Sequence, residues 1–165
     1  MKTSFVKPVC CFVLALIAVS AVHAQSSAQG ILLLYKHPPV NEFVRATRDA
    51  QFPCENLALE YWNDVDIARY GKGDTETKFR EVLACVAKSS DVPKEKLIAA
   101  LKYLEGMPGT AKALKDVYLK WVSKMDSLTP AYGESYKANS DRQLQAGLAF
   151  KQAQKAMELE LQLGT

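Results

Sequence analysis

Apolar residues recur at every third or fourth position through most of this chain, and this spacing constrains its fold more than any other feature. The clearest stretch places a set of apolar residues on one face of a helix, namely Leu114, Val117, Tyr118, Trp121, Met125 and Leu128. Alternation of apolar and polar residues, which indicates half-buried β-strands, is almost absent. We therefore expect an all-α fold.

Prolines, glycines and small polar residues divide the periodic stretches. They predict helices over 40–50, 53–70 and 75–90, with further helices that begin at Pro93, after a turn at 106–109, and at Ser140. Residues 129–139 are predicted to be short or irregular. Because the connections are short, we expect residues 40–165 to form a compact antiparallel helical bundle of about five to six helices. A helical-repeat array is the alternative, but no signature residues recur at a fixed period.

The first 24 residues have the pattern of a cleavable signal peptide. Lys2 and Lys7 precede an uncharged apolar run, which ends at a small-residue cleavage site, Val22–Ala24. The run is shorter than the roughly 20 residues that a membrane span needs. We expect a periplasmic or extracellular product without a membrane span, in which residues 25–39 form a flexible N-terminal arm.

Removal of this signal peptide changes the charge and the cysteine content. The basic residues fall from 21 to 19 against 18 acidic ones, so the product is nearly neutral and has no basic stripe for nucleic acid. Cys54 and Cys85 remain of the four cysteines. An even pair in an oxidising compartment predicts one disulfide, and their wide spacing argues against redox-active or metal-binding chemistry.

The expected disulfide also tests the helix layout. In a hairpin centred on residues 71–74, Cys85 lies opposite residue 60, and the offset from Cys54 is about 9 Å along the helix. That exceeds the reach of a disulfide. We therefore expect Cys54 to lie in a connector that folds back over Cys85, rather than in a helix that begins later.

No catalytic motif is evident. His37, the one histidine after the signal peptide, lies beside two prolines and is predicted to be an exposed loop residue. Glu60 and Asp64 share a helix face and are the best candidates for a carboxylate-dependent hydrolase, although a solvated helix face is the favoured explanation because charged residues are usually exposed. We predict no cofactor, no metal site and no enzymatic activity.

Aromatic residues provide the main indication of binding. Tyr61 and Trp62 are adjacent, so at least one of them should lie at the surface, while Tyr132 and Tyr136 occupy a polar, glycine-containing segment. Exposed aromatic residues are enriched in protein interfaces. Trp62, Tyr132 and Tyr136 are therefore our candidate binding residues, and the alternative is that they cover one end of the bundle.

The last helix carries a stripe of small and apolar residues, namely Ala146, Ala149, Phe150, Ala153, Ala156 and Met157. This stripe either packs on the bundle or pairs with a second copy in a homodimer.

Together these features favour an exported helical protein that binds a protein partner, of inhibitor, immunity or adaptor type. The alternatives are a carrier of a small apolar ligand in the bundle interior and the hydrolase described above.

Overall fold

The structure is a computed structural model that describes Leu34 and residues 36–164. The described residues form α-helices joined by short connections, with no β-strand among them, which confirms the all-α prediction. The expected signal peptide, and residues 25–33 and Tyr35 of the expected arm, lie outside this part of the chain.

The helices are α1 (Pro38–Ala68), α2 (Thr75–Ser89), α3 (Asp91–Tyr103), α4 (Pro108–Leu128) and α5 (Tyr136–Leu163). Only Ser90 separates α2 from α3, and its backbone remains right-handed helical, with φ −81° and ψ −15°. Pro93 accounts for the break, because it lacks the N–H that would bond to the carbonyl of Ser89. Pro108 suits the first turn of α4, where a backbone N–H has no helical partner.

Helix α1 is continuous through the predicted interruption at 51–53, so the two helices expected there are one. Pro53 lies inside α1 and removes the donor for the carbonyl of Asp49. Both residues are exposed, and water can therefore bond to that carbonyl. Cys54 and Ala58 are buried on the packed side of α1, which keeps the helix in place.

Helices α1 and α2 form an antiparallel hairpin closed by the predicted disulfide. Cys54 and Cys85 are bonded, with their Cα atoms 5.6 Å apart. The expectation that Cys54 lies in a connector is wrong, since it lies within α1. The chain reverses direction near residues 69–70, earlier than the expected centre at 71–74, and Cys54 therefore lies level with Cys85. Gly73 then packs so closely on α1 that a β-carbon would overlap the carbonyl of Asp64.

Helix α3 packs on the N-terminal half of α1. Lys96 of α3 forms a 3.2 Å ion pair with Glu42, and the Tyr103 hydroxyl lies 3.2 Å from Nδ1 of His37. His37 is only 6% exposed, so the prediction of an exposed loop histidine is wrong. The residue is buried because the start of α1 lies against the end of α3.

Helices α4 and α5 run antiparallel and contact each other along their length. Thr110 near the start of α4 bonds to the carbonyl of Glu160, while Asn139 near the start of α5 bonds to the carbonyl of Ser127. Trp121 of α4 is fully buried and donates a 3.1 Å hydrogen bond to the carbonyl of Thr47 in α1. Helix α5 packs chiefly on α4, and its first turn also contacts α1 through Trp62.

Candidate functional site

The three aromatic residues predicted to bind a partner lie close together near the C-terminal end of α1. The rings of Trp62 and Tyr136 meet edge to face, with their centroids 5.5 Å apart. Tyr136 is 59% exposed and Tyr132 is fully exposed, whereas Trp62 is only 9% exposed. The tyrosines thus offer accessible surface, and Trp62 forms the floor beneath them.

Tyr61 extends this aromatic cluster on the other side of Trp62. Its ring centroid lies 5.1 Å from that of Trp62 and 5.9 Å from that of Phe79 in α2. Tyr61 is half-buried, so of the adjacent pair it is Tyr61 that lies at the boundary. The contiguous rings span α1, α2 and the start of α5.

Two open grooves meet at this cluster. The first, the α1–α5 groove, has a volume of about 460 Å³ and is lined by Leu59, Trp62, Asn63, Val65, Asp66, Arg69, Glu134, Ser135 and Tyr136. The second, the α1–α2 groove, has a volume of about 410 Å³ and is lined by Tyr61, Trp62, Val65, Thr75, Glu76, Phe79 and the segment 130–134. Trp62, Val65 and Glu134 line both grooves, which therefore form one surface.

Tyr132 is held at the tip of the 129–135 loop, which connects α4 to α5. Gly133 follows it with φ +73°, a left-handed conformation that glycine adopts without steric cost. Glu134 then closes the loop, because its carboxylate accepts two hydrogen bonds from Arg142, at 2.8 and 3.1 Å, and one from the backbone N–H of Ala131. Arg142 also donates to the carbonyl of Thr129.

The electrostatics of Glu134 reflect this loop closure. Hydrogen bonds from the Arg142 guanidinium, from the Ala131 backbone N–H and from Asn139 favour the charged carboxylate. They lower the pKa of Glu134 from 4.5 to about 2, despite the opposing effect of burial. Glu134 is therefore charged at neutral pH, and the loop closure is intact there.

Asn139 connects the loop to the aromatic floor. It is 1% exposed, and its side-chain oxygen accepts hydrogen bonds from Trp62 Nε1 and from Gln143. Its amide nitrogen donates to the Ser127 carbonyl and to Glu134. Four partners thus hold the side chain of Asn139 in place. An unsatisfied polar group would be unfavourable at this buried position.

Sequence reasoning missed Asn139, Glu134 and Arg142. It placed Asn139 in an irregular segment and predicted that Ser140 caps the last helix, whereas Ser135 is the cap and accepts a bond from the backbone N–H of Ala138. The available signal for the true helix start was Ser135 itself, because serine is a preferred N-cap residue. The contacts of Asn139 with Trp62 connect positions 77 apart and have no local signature.

Glu60 and Asp64, the carboxylates considered for hydrolysis, belong to the α1–α2 hairpin. Glu60 accepts a 2.8 Å hydrogen bond from Lys78, which also bonds to Glu81. These two carboxylates raise the pKa of Lys78, so the ammonium group stays charged. Glu60 is thereby engaged in a surface ion pair, and the lining of both aromatic grooves includes neither Glu60 nor Asp64.

A larger groove of about 560 Å³ lies between α1 and α3. It is lined by Glu42, Arg45, Ala46, Asp49, Ala50, Val92 and Lys96. Its polar groups are already paired in part, through Glu42–Lys96 and Arg45–Asp49, and it contains no aromatic side chain. The aromatic surface is therefore the stronger candidate for recognition.

None of the described helices is long and apolar enough to cross a membrane. The histidines, cysteines and carboxylates of the described residues form no group of three or more that could hold a metal ion.

Comparison with known proteins yields no relative: no protein-family model, no curated protein and no solved structure matches this chain. The aromatic surface must therefore be interpreted from its own geometry.

Proposed function

We propose that this protein is exported and binds a protein partner through the aromatic surface formed by Trp62, Tyr132 and Tyr136, as an inhibitor, an immunity-type protein or an adaptor. The observation that carries the proposal is the position of Tyr132, which is fully exposed at the tip of a loop closed by Glu134 and Arg142. An aromatic side chain presented by an ordered loop loses little conformational entropy on binding. Such residues dominate the binding energy of many protein interfaces.

The two grooves suggest which groups the partner inserts. Trp62 and Val65 form an apolar floor that both grooves share, and Asp66, Arg69 and Glu76 lie on their polar rims. This arrangement suits apolar or aromatic side chains that enter from a protein surface, with polar contacts around them. The indole N–H of Trp62 is already bonded to Asn139, so Trp62 offers its ring face rather than a hydrogen bond.

Export is supported by the signal-peptide pattern and by the Cys54–Cys85 disulfide, since disulfides persist in oxidising compartments. The proposal takes the helices to form one compact antiparallel bundle that holds both grooves in fixed positions. A partner in the same compartment would meet a preformed surface, and rigid preformed surfaces are common among protein inhibitors.

Site-specific photo-crosslinking tests the proposal. The photoreactive residue benzoylphenylalanine is placed at Tyr132, at Tyr136 or, as a matched control, at Phe52, and the protein is incubated with extract from the compartment to which it is exported. Phe52 is an exposed aromatic residue on α1, about 15 Å along the helix from Trp62. We expect the same crosslinked protein from Tyr132 and Tyr136 and none from Phe52. Equal crosslinking at all three positions, or none, would contradict the proposal.

The crosslinked partner, once purified, permits a quantitative test. We expect Tyr132→Ala and Tyr136→Ala each to weaken binding by about tenfold or more, as loss of an interface aromatic does. Phe52→Ala should leave the dissociation constant unchanged. If the partner is an enzyme or toxin, loss of inhibition in parallel with loss of binding would identify the inhibitor or immunity type.

A further inference from the structure

Helix α5 carries a stripe of four exposed leucines, interrupted in its middle by Gln152 and Lys155, on the side away from α4. Leu144, Leu148, Leu159 and Leu163 are each 51–74% exposed among the described residues. With about 3.6 residues per turn, these positions share one face. Phe150, Ala153, Met157 and Leu161, which are buried against the rest of the protein, lie on the opposite face. The outer face of a surface helix is normally polar, so the two pairs of exposed leucines, one on each side of Gln152 and Lys155, need an explanation.

The small-residue stripe expected to mediate pairing is largely used inside the protein. Of its members, Phe150, Ala153 and Met157 are buried, whereas Ala156 is exposed. A second copy that pairs through α5 must therefore contact its outer face.

We propose that the outer face of α5 pairs with the same face of a second copy of this chain, with the two helices antiparallel. The four leucines form two pairs with the same four-residue spacing, one towards each end of the helix. Antiparallel alignment therefore places Leu144 against the second copy's Leu163 and Leu148 against its Leu159, and both contacts occur twice in a two-fold dimer.

The flanking charges agree with this alignment. Lys151 and Glu158 lie seven residues apart, on the same edge of the leucine stripe. In a two-fold antiparallel pair, equivalent edges face each other. In the alignment that matches the leucines, Lys151 and the second copy's Glu158 lie at nearly the same height. Their positions along the helix axis differ by about 3 Å. Two symmetric ion pairs result.

Neither charge has a strong partner within its own chain. Lys151 forms no ion pair among the described residues, and Glu158 interacts only with Lys155, which lies beyond ion-pair distance. Partial burial raises the pKa of Glu158, and the charge of Lys155 offsets this effect only in part. A parallel pair would place the Lys151 edge against Gln145 and Gln152, so the charges select the antiparallel arrangement.

The contact is small. The stripe from Leu144 to Leu163 is about 28 Å long at 1.5 Å per residue, and one helix pair of this length lies near the low end of specific interfaces. We therefore expect a weak dimer that forms in the micromolar concentration range.

Analytical ultracentrifugation of the purified protein over a range of concentrations tests the pairing without any other partner. We expect Leu148→Gln combined with Leu159→Gln to raise the dimer dissociation constant by at least about tenfold. Leu119→Gln is the matched control, since Leu119 is 63% exposed on α4, and it should have no effect. A wild-type protein that stays monomeric, or a dimer that tolerates the double variant, would overturn the proposal.

Charge exchange tests the alignment. Lys151→Glu should weaken the dimer, because each ion pair becomes a repulsion, and adding Glu158→Lys should restore association to within about threefold of the wild type. A double variant no better than the single one would contradict the predicted pairs.

Engineered cysteines distinguish the two helix directions. An antiparallel dimer predicts a disulfide-linked dimer when Leu148→Cys and Leu159→Cys chains are mixed, and none from either chain alone. Efficient self-linkage of the Leu148→Cys chain would instead indicate a parallel pair and overturn the proposal. Circular dichroism confirms that each variant retains its helical fold.

Discussion

The indole Nε1 of Trp62 donates a 3.0 Å hydrogen bond to the side-chain oxygen of Asn139, and this bond joins the end of α1 to the start of α5. Asn139 in turn donates to Glu134, which closes the loop that carries Tyr132. The aromatic floor and the exposed tyrosine are therefore held by one hydrogen-bond network. Both parts of the candidate surface depend on a single buried amide.

Replacement of Asn139 by alanine should destabilise the protein by about 2 to 3 kcal/mol, because the Trp62 N–H and the Ser127 carbonyl lose a buried partner. The free energy of unfolding in urea measures the effect. Asn63→Ala is the control, since Asn63 is exposed in the α1–α5 groove, and it should change stability by less than about 0.5 kcal/mol. Equal losses for the two variants would show that the network adds no stability.

The Glu134–Arg142 pair should make stability depend on pH at acid pH. The pKa of Glu134 in the folded protein is about 2, below its ordinary 4.5, so its contribution is complete above pH 4.5 and is lost as the pH falls towards 2. We expect the wild type to have a higher melting temperature than Glu134→Gln at pH 6, with a difference that shrinks between pH 4.5 and 2. Glu105→Gln, at an exposed position, should show no such trend. A difference that stays constant from pH 6 to pH 2 would exclude this role for Glu134.

Loss of the Cys54–Cys85 bond should reduce the free energy of unfolding by about 3 to 4 kcal/mol, since the bond closes a loop with a sequence separation of 31. Denaturant unfolding of the Cys54→Ala/Cys85→Ala variant measures this loss. Reducing agent should lower the unfolding midpoint of the wild type and leave that of the variant unchanged. A reduced wild type as stable as the oxidised protein would disprove the expected contribution.

Gly73→Ala should destabilise the α1–α2 hairpin by about 2 kcal/mol, because the new methyl group would overlap the backbone of Asp64 and Ala68. Gly106→Ala provides the control, as nothing lies within 4 Å of a β-carbon at that position. Thermal melting of the two variants should show a clear loss only for Gly73. A neutral result at Gly73 would mean that the turn shifts without cost.

The helical class and the disulfide partners follow from local sequence signals. Apolar spacing places Leu114 to Leu128 on one helix face, and most of those residues are buried in α4. Cys54 and Cys85 are the two cysteines beyond the apolar N-terminal run, so their pairing needs no knowledge of the fold.

The continuity of α1 was not predictable from propensity. Proline disfavours a helix interior by roughly 3 kcal/mol, which makes a break at 51–53 the natural expectation. The structure offsets this cost because Pro53 lies on the exposed side while Cys54 and Ala58 are packed. The expected position of Cys54 was wrong for a second reason, because the hairpin was centred on residues 71–74 whereas the first helix ends at Ala68.

The candidate surface was predictable only in its aromatic residues. Trp62, Tyr132 and Tyr136 were identified by type and local context, and the structure brings them to adjacent grooves. Arg142 and Glu134, which fix the loop, are ordinary charged residues in the sequence. Their importance depends on a contact across eight positions and on the burial of Asn139, which requires the assembled helices.

In the closed 129–135 loop, the residues that anchor the loop differ from those that it exposes to solvent. Thr129, Ala131 and Glu134 make the anchoring bonds, whereas Tyr132 and Gly133 project into solvent. The residue at position 132 can therefore change during evolution with little effect on folding. A scaffold of this kind can acquire new binding specificity by substitution at its loop tip while the helices that support it are conserved.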